Sequence, residues 1–135
     1  MCECMTSQNQ SRPTILVLED VEETRDLMGR MLQGNGYCVS LARSEEDAIS
    51  KTRIQPPDLI LMSLGLEPSQ LVATAQRILQ ETAMGHDITV VIFCIPTIPE
   101  GSEVEIAKNI YLIRPDNFDQ VRALLDKLLS RRPFI

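Results

Sequence analysis

Glu19 and Asp20 stand side by side directly after an apolar run, residues 14–18 (TILVL). Two adjacent carboxylates at the end of a strand suit a hard divalent cation, because Mg²⁺ takes oxygen ligands and keeps several of its waters. The same pair has a structural alternative, in which Asp20 caps the following helix and Glu19 is solvated. Three more chemically capable side chains end later apolar runs: Ser63, Cys94 and Arg114. A serine hydroxyl is a poor nucleophile without an adjacent base, and the single histidine, His86, lies in a different loop. The cysteines are Cys2, Cys4, Cys38 and Cys94, and no C-x-x-C pair or second cluster completes a zinc site. Cys38 and Cys94 fall in apolar strand-like runs, where a reduced cysteine acts as a small hydrophobe. Cys2 and Cys4 read as part of a polar tail rather than a soft-metal or redox pair.

These residues need a scaffold. The chain has 135 residues, which is the length of one domain. It carries 13 Lys+Arg against 19 Asp+Glu, a net charge of −6. A nucleic-acid binder needs a basic face, so nucleic acid is not an expected partner, and an anionic membrane surface is disfavoured for the same reason. The longest apolar runs, residues 59–62 and 88–95, fall short of the ~18 residues of a membrane span. The first ten residues have neither a basic nor an apolar signal region, so a cytoplasmic protein is expected.

Residues 1–12 read as a disordered leader, 13–131 as one domain and 132–135 as a short tail. Within the domain, continuous apolar runs of strand length alternate with stretches of helical spacing. Strands are expected over 14–18, 37–42, 59–62, 88–94 and 111–113. The first helix carries Leu27, Met28, Met31 and Leu32, opens on Asp20 with Glu23, and ends at Gly34 or Gly36. Ser44 with Asp47 opens the second, Ser69 the third, and Asn117 the last. Ser102-x-x-Glu105 has the capping-box pattern of a short fourth helix. Strands apolar on both faces and alternating with helices imply an open, doubly wound parallel α/β sheet of five strand–helix units. In such sheets the site lies beyond the carboxyl ends of the strands, where Glu19, Asp20, Ser63, Cys94 and Arg114 fall. A dinucleotide site is excluded, since the first turn reads EDVEET instead of G-x-G-x-x-G. Four carboxylates in that turn also repel a flavin phosphate.

The stretches ILVLED, GYCVSLARSEEDAI, PPDLILMSLGLEP, ITVVIFC and YLIRP occur in an order that resembles a response-regulator receiver domain, the phosphoacceptor module of two-component signalling. The resemblance covers residues 13–131. It implies a flavodoxin-like five-stranded parallel sheet, order 2-1-3-4-5, with five flanking helices. It also implies a site built from an acid pair that holds Mg²⁺, a phosphorylated aspartate, a Thr or Ser, a Lys and a switch aromatic.

By that resemblance Glu19 and Asp20 are the acid pair, with Glu as the first acid. Ser63 stands at the phosphoacceptor position, Cys94 at the Thr/Ser position, Tyr111 at the switch aromatic and Arg114 at the Lys. Pro115 keeps the Lys-Pro pattern and is a candidate cis peptide. The loop after Ser63 (LGLEP) has one residue more than usual before its proline. Three substitutions at key positions change the chemistry. Losing the aspartate removes both the nucleophile and a metal ligand, so any Mg²⁺ site is vestigial or weak and no cofactor is required. Cys94 is a weak donor, and Arg114 presents a planar fork in place of a point charge. Arg114 either bridges Glu19 and Asp20 in place of the cation or faces solvent.

The expected function is therefore that of a degenerate, stand-alone pseudo-receiver. It is not an enzyme, and it binds a histidine kinase, another regulator or a second copy through the face of the family's fourth helix, fifth strand and fifth helix. The alternative is an active response regulator phosphorylated at a non-standard residue, Ser63 or Glu67, with Mg²⁺. A haloacid-dehalogenase-like phosphatase needs D-x-D where this chain has E-D-V.

Overall fold

A computed structural model describes residues 12–82, 87–93, 97–115 and 117–130. In chain order the elements are β1 (Thr14–Glu19), α1 (Glu22–Gly34), β2 (Cys38–Ala42), α2 (Glu45–Ile54), β3 (Leu59–Ser63), α3 (Pro68–Thr82), β4 (Thr89–Phe93), β5 (Ser102–Ala107), β6 (Ile110–Arg114) and α4 (Phe118–Ser130). They form one sheet of order β2-β1-β3-β4-β6-β5. Five strands run parallel in the expected 2-1-3-4-5 order, with β6 as the fifth. β5 is antiparallel to β6 at the edge.

Alternation along each central strand divides the core into two layers. Leu16, Leu18, Ile60, Met62, Val90 and Ile92 face one side, where Ala48 of α2 and Leu71, Ala75 and Ile78 of α3 cover them. Ile15, Val17, Leu59, Leu61 and Val91 face the other, against Met28 and Leu32 of α1 and Val121, Leu124, Leu125 and Leu129 of α4. Each fully buried Leu or Ile contributes about 1.5–3 kcal/mol, so these two layers dominate stability.

Local signals set most element ends. Ser44 Oγ accepts from the Asp47 N–H at 3.1 Å, and Asp47 Oδ2 accepts from the Arg43 N–H at 3.1 Å, closing the start of α2 from both directions. After α1 the chain turns through Gly36, whose φ of +92° favours glycine. Asp20 does not cap α1: Val21 occupies the N-cap position without a side-chain bond. Glu19 reaches forward instead and takes the Val21 N–H.

The expected fourth helix is a strand, and the domain has four helices among the described residues. SEVEIA alternates polar and apolar at period two, and two turns of helix cannot offset the cost of nucleation. A hairpin turn through Asn109 at φ +69° lays the segment back on β6. The partner-binding face expected from a helix, a strand and a helix is thereby made of β5, β6 and α4.

Cys38 is buried, as its apolar run implies. It is disulfide-bonded in this structure, where the sequence reading has a reduced thiol. The other three cysteines, the expected leader and the expected tail lie outside the described residues, apart from Arg12 at the leader's end. No helix among the described residues is long and apolar enough to cross a membrane.

Candidate functional site

The parallel register brings the expected residues to one end of the sheet. Glu19 and Ser63 close β1 and β3 and are direct register partners. Glu19 is a buried acid, 4% exposed. Its Oε2 accepts from the Val21 N–H at 3.0 Å, and the Ser63 side chain lies beside its carboxyl. The Glu19 carbonyl accepts from Arg25 Nη1 at 2.8 Å, which ties the strand end to the first turns of α1. Burial pushes the Glu19 carboxyl above the ordinary carboxylate range, Asp20 beside it pushes the same way, and the Val21 N–H and the nearby Ser63 side chain offset part of that rise.

Asp20 is exposed at the mouth of the site. A side chain at Gly65 would come within 3.9 Å of Asp20 Oδ2, so the loop after β3 passes close by. Glu67, the alternative acceptor, is exposed just before α3, and its N–H donates to Gln70 Oε1 at 3.1 Å.

Arg114 ends β6 and donates Nη1 to the Ile98 carbonyl at 3.0 Å. The ion pairs among the described residues do not join it to Glu19 or Asp20. Tyr111 lies earlier on the same strand, half-buried against the α1/α4 layer and opposite Glu105 of β5. Pro115 is not cis, since no cis peptide occurs among the described residues. The trans form of an X–Pro bond is favoured by about 0.5–1 kcal/mol unless a turn demands otherwise, and here β6 simply runs on to it. Cys94 lies outside the described residues.

The donor set is poor for a resident Mg²⁺. Among the described residues no three His, Cys, Asp or Glu side chains converge as a metal site. Glu19 Oε2 already accepts a backbone N–H. That leaves Asp20 as the open carboxylate and Ser63 as a neutral hydroxyl. A hard cation is held by ionised oxygen ligands, so these residues do not fit the metal as a resident group.

Sequence reading found Glu19, Asp20, Ser63 and Arg114 from their strand-end positions. It missed Val21, Arg25 and Ile98, which hold the first and last of these through backbone groups. Backbone acceptors leave no residue-type signal. Val21 was findable as the residue two after a buried acid, where an N–H is free at a helix start.

No protein-family model matches the chain. It is 33% identical over 119 residues to the transcriptional regulatory protein ZraR of Escherichia coli, a match covering 86% of this chain and 26% of that protein. The ZraR protein of Salmonella typhi is 31% identical over 118 residues, again covering 86% of this chain and 26% of the relative. The chain thus spans about a quarter of the length of the curated relatives it matches. Among solved structures, the N-terminal domain of a response regulator receiver protein from Methanoculleus marisnigri superposes with a TM-score of 0.55 at 26% identity, covering 90% of this chain and 100% of that one. The response regulator TrrA of Thermotoga maritima, in complex with Mg²⁺ and BeF, gives a TM-score of 0.66 at 22% identity, over 86% and 98% of the two chains. The receiver domain of a sensor histidine kinase from Pseudomonas aeruginosa, with magnesium coordinated in its active-site cleft, gives 0.66 at 20% identity, over 89% and 99%. With its 2-1-3-4-5 parallel order and its polar groups gathered at the carboxyl end of the sheet, this chain has the receiver fold of two-component response regulators.

Proposed function

We propose that this domain is a pseudo-receiver, a regulatory module that acts by binding a signalling protein without accepting a phosphoryl group. The observation that supports the reading is the pairing of Glu19 with Ser63. At the position where a receiver presents an ionised aspartate, this chain presents a hydroxyl beside a buried carboxyl. A carboxylate is a weak base toward a hydroxyl proton, and a hydroxyl without a strong base attacks phosphorus slowly. Mg²⁺ binding is accordingly weak. The domain performs no catalysis of its own in this reading.

The partner is a histidine kinase or another regulator, engaged at the β5–β6–α4 face that carries Tyr111. A cytoplasmic setting accompanies this reading, and there the Cys38 disulfide would be reduced, because cytosolic thiol systems keep such bonds open.

The test is exposure of the full chain to acetyl phosphate with Mg²⁺, followed by intact mass, beside a beryllofluoride titration read by ¹H–¹⁵N NMR. The expected result is an unchanged mass and unmoved amides at Ser63, Tyr111 and Arg114. Gain of one phosphoryl group, on Ser63 or Glu67, would establish the active-regulator reading instead.

A further inference from the structure

We propose that the outer edge of β5 docks an extended segment of alternating basic and apolar residues, which joins the sheet as a seventh strand. This deepens the binding-module reading by naming the partner's chemistry and its mode of attachment.

β5 is the last strand of the sheet and pairs, among the described residues, with β6 alone. An edge strand of this kind presents unpaired N–H and C=O groups to an incoming chain. Its two faces differ in chemistry. Val104 lies opposite Leu112, which belongs to the α2/α3 core layer, so Val104 faces that side. Val104 is 40% exposed there, and Ala107, opposite Ile110, packs on the same layer. Ile106, also 40% exposed, lies at the bulge between Glu105 and Ala107. Together they form an apolar ledge at the sheet margin where a covering helix was expected. On the opposite face stand Glu103, opposite Ile113, and Glu105, opposite Tyr111. Glu103 meets Lys127 of α4 at 2.9 Å, and Glu105 is exposed.

A strand added here must place an apolar side chain over Val104 and a cation beside Glu105 on the other face, which requires alternation; Glu103 already has Lys127. Charge also disfavours a second copy as the occupant. Antiparallel self-pairing about a two-fold axis centred on Val104 puts Glu103 opposite the other copy's Glu105, and one centred on Glu105 puts the two Glu105 side chains opposite each other. Like charges facing directly across a strand pair are destabilising. The overall charge of −6 adds to that repulsion.

The test uses the full ¹⁵N-labelled chain and a synthetic peptide of alternating Lys and Val. Two controls accompany it: alternating Glu and Val, and the Lys/Val composition rearranged into two blocks. The expected result is saturable shifts confined to amides of residues 102–107 and their β6 partners with the alternating Lys/Val peptide. Neither control should produce them. Glu105→Lys should weaken binding at least tenfold, and Val104→Lys likewise, with both variants showing native-like spectra in the rest of the sheet. Equal binding by the block peptide, or no shifts on β5, overturns the proposal. Concentration-dependent β5 shifts without peptide would assign the edge to a second copy and overturn it too. Peptide binding that requires removal of residues 131–135 overturns it as well, by making the chain's own RRPFI the occupant. Phosphoryl uptake, measured by mass on the same sample, tests the pseudo-receiver reading separately, so the two can fail independently.

Discussion

From β1 to α3 each strand is followed by a helix that folds back over it, and both faces of β1 and β3 are sealed. Between β4 and α4 no such helix forms among the described residues, and a six-residue strand takes its place at the open margin. In the first region the apolar residues come in continuous runs, because both faces of a central parallel strand are buried. In the second they alternate with glutamates, because one face meets the core margin and the other meets α4 and solvent. The two regions show that the same sheet tolerates opposite sequence rules at its centre and at its edge. They also show where the molecule keeps its stability and where it leaves apolar surface exposed.

Equivalent truncations in the two regions should separate most clearly. Ile60 is fully buried at the centre of β3, and Ile60→Ala should cost roughly 3 kcal/mol in urea or thermal unfolding, from lost transfer energy and a residual cavity. If the loss were under about 1 kcal/mol, the centre would not be the stability store that the contrast requires.

The hairpin turn ranks next. Asn109 holds φ +69° and donates Nδ2 to Asp87 Oδ1 at 2.9 Å, while its carbonyl accepts from the Val90 N–H at 2.7 Å. Asn109→Val should cost about 2 kcal/mol, from left-handed strain on a β-branched residue and the lost bond. Amide exchange should show the added opening concentrated in β5 and β6. Uniform loss of protection across β1 and β3 would mean that the edge is not a separate unit.

At the site, Glu19 is an acid whose folded value lies above its unfolded one. Between those two values the native state holds more protons than the unfolded state, so stability falls as pH rises through that window. Above it, the cost of burying the charge is present in full. Glu19→Gln keeps an oxygen for the Val21 N–H and removes the charge, so it should raise stability at neutral pH by about 1 kcal/mol. It should also flatten the pH dependence just above the ordinary carboxylate range. A destabilised variant would show that the carboxylate is held ionised by something it binds, a cation included.

The smallest effect is expected at the edge. Val104→Ala removes a side chain that is 40% exposed and should cost less than about 1 kcal/mol, since little apolar area returns to water. A cost matching that of Ile60→Ala would erase the contrast between centre and margin.

Much of this was legible in the residues. Runs such as LILM at 59–62 have no polar member, so both faces of that strand had to be buried, and the parallel order followed. Glu19, Asp20, Ser63 and Arg114 were found because the chemistry of such sheets collects at strand ends. Ser44 and Asp47 formed the reciprocal cap that their spacing implied. These features are local or periodic, and local physics writes them into composition.

Other features were decided between elements. Ser102-x-x-Glu105 satisfies a helix-start pattern and SEVEIA satisfies a strand pattern, and only the adjacent β6 edge, with Lys127 waiting for Glu103, settled the choice. Asp20 has the residue type of a cap, yet Glu19 took the Val21 N–H because the β1–β3 register had already buried its carboxyl beside Ser63. Arg114 reached the Ile98 carbonyl, an acceptor that no residue type announces. Sequence alone determined the parallel sheet and the addresses of the site residues, since both follow from side-chain type and period. Tertiary structure decided the raised pKa of Glu19, the hydrogen bonds of the site and the exposed edge, since these depend on which surfaces close over one another.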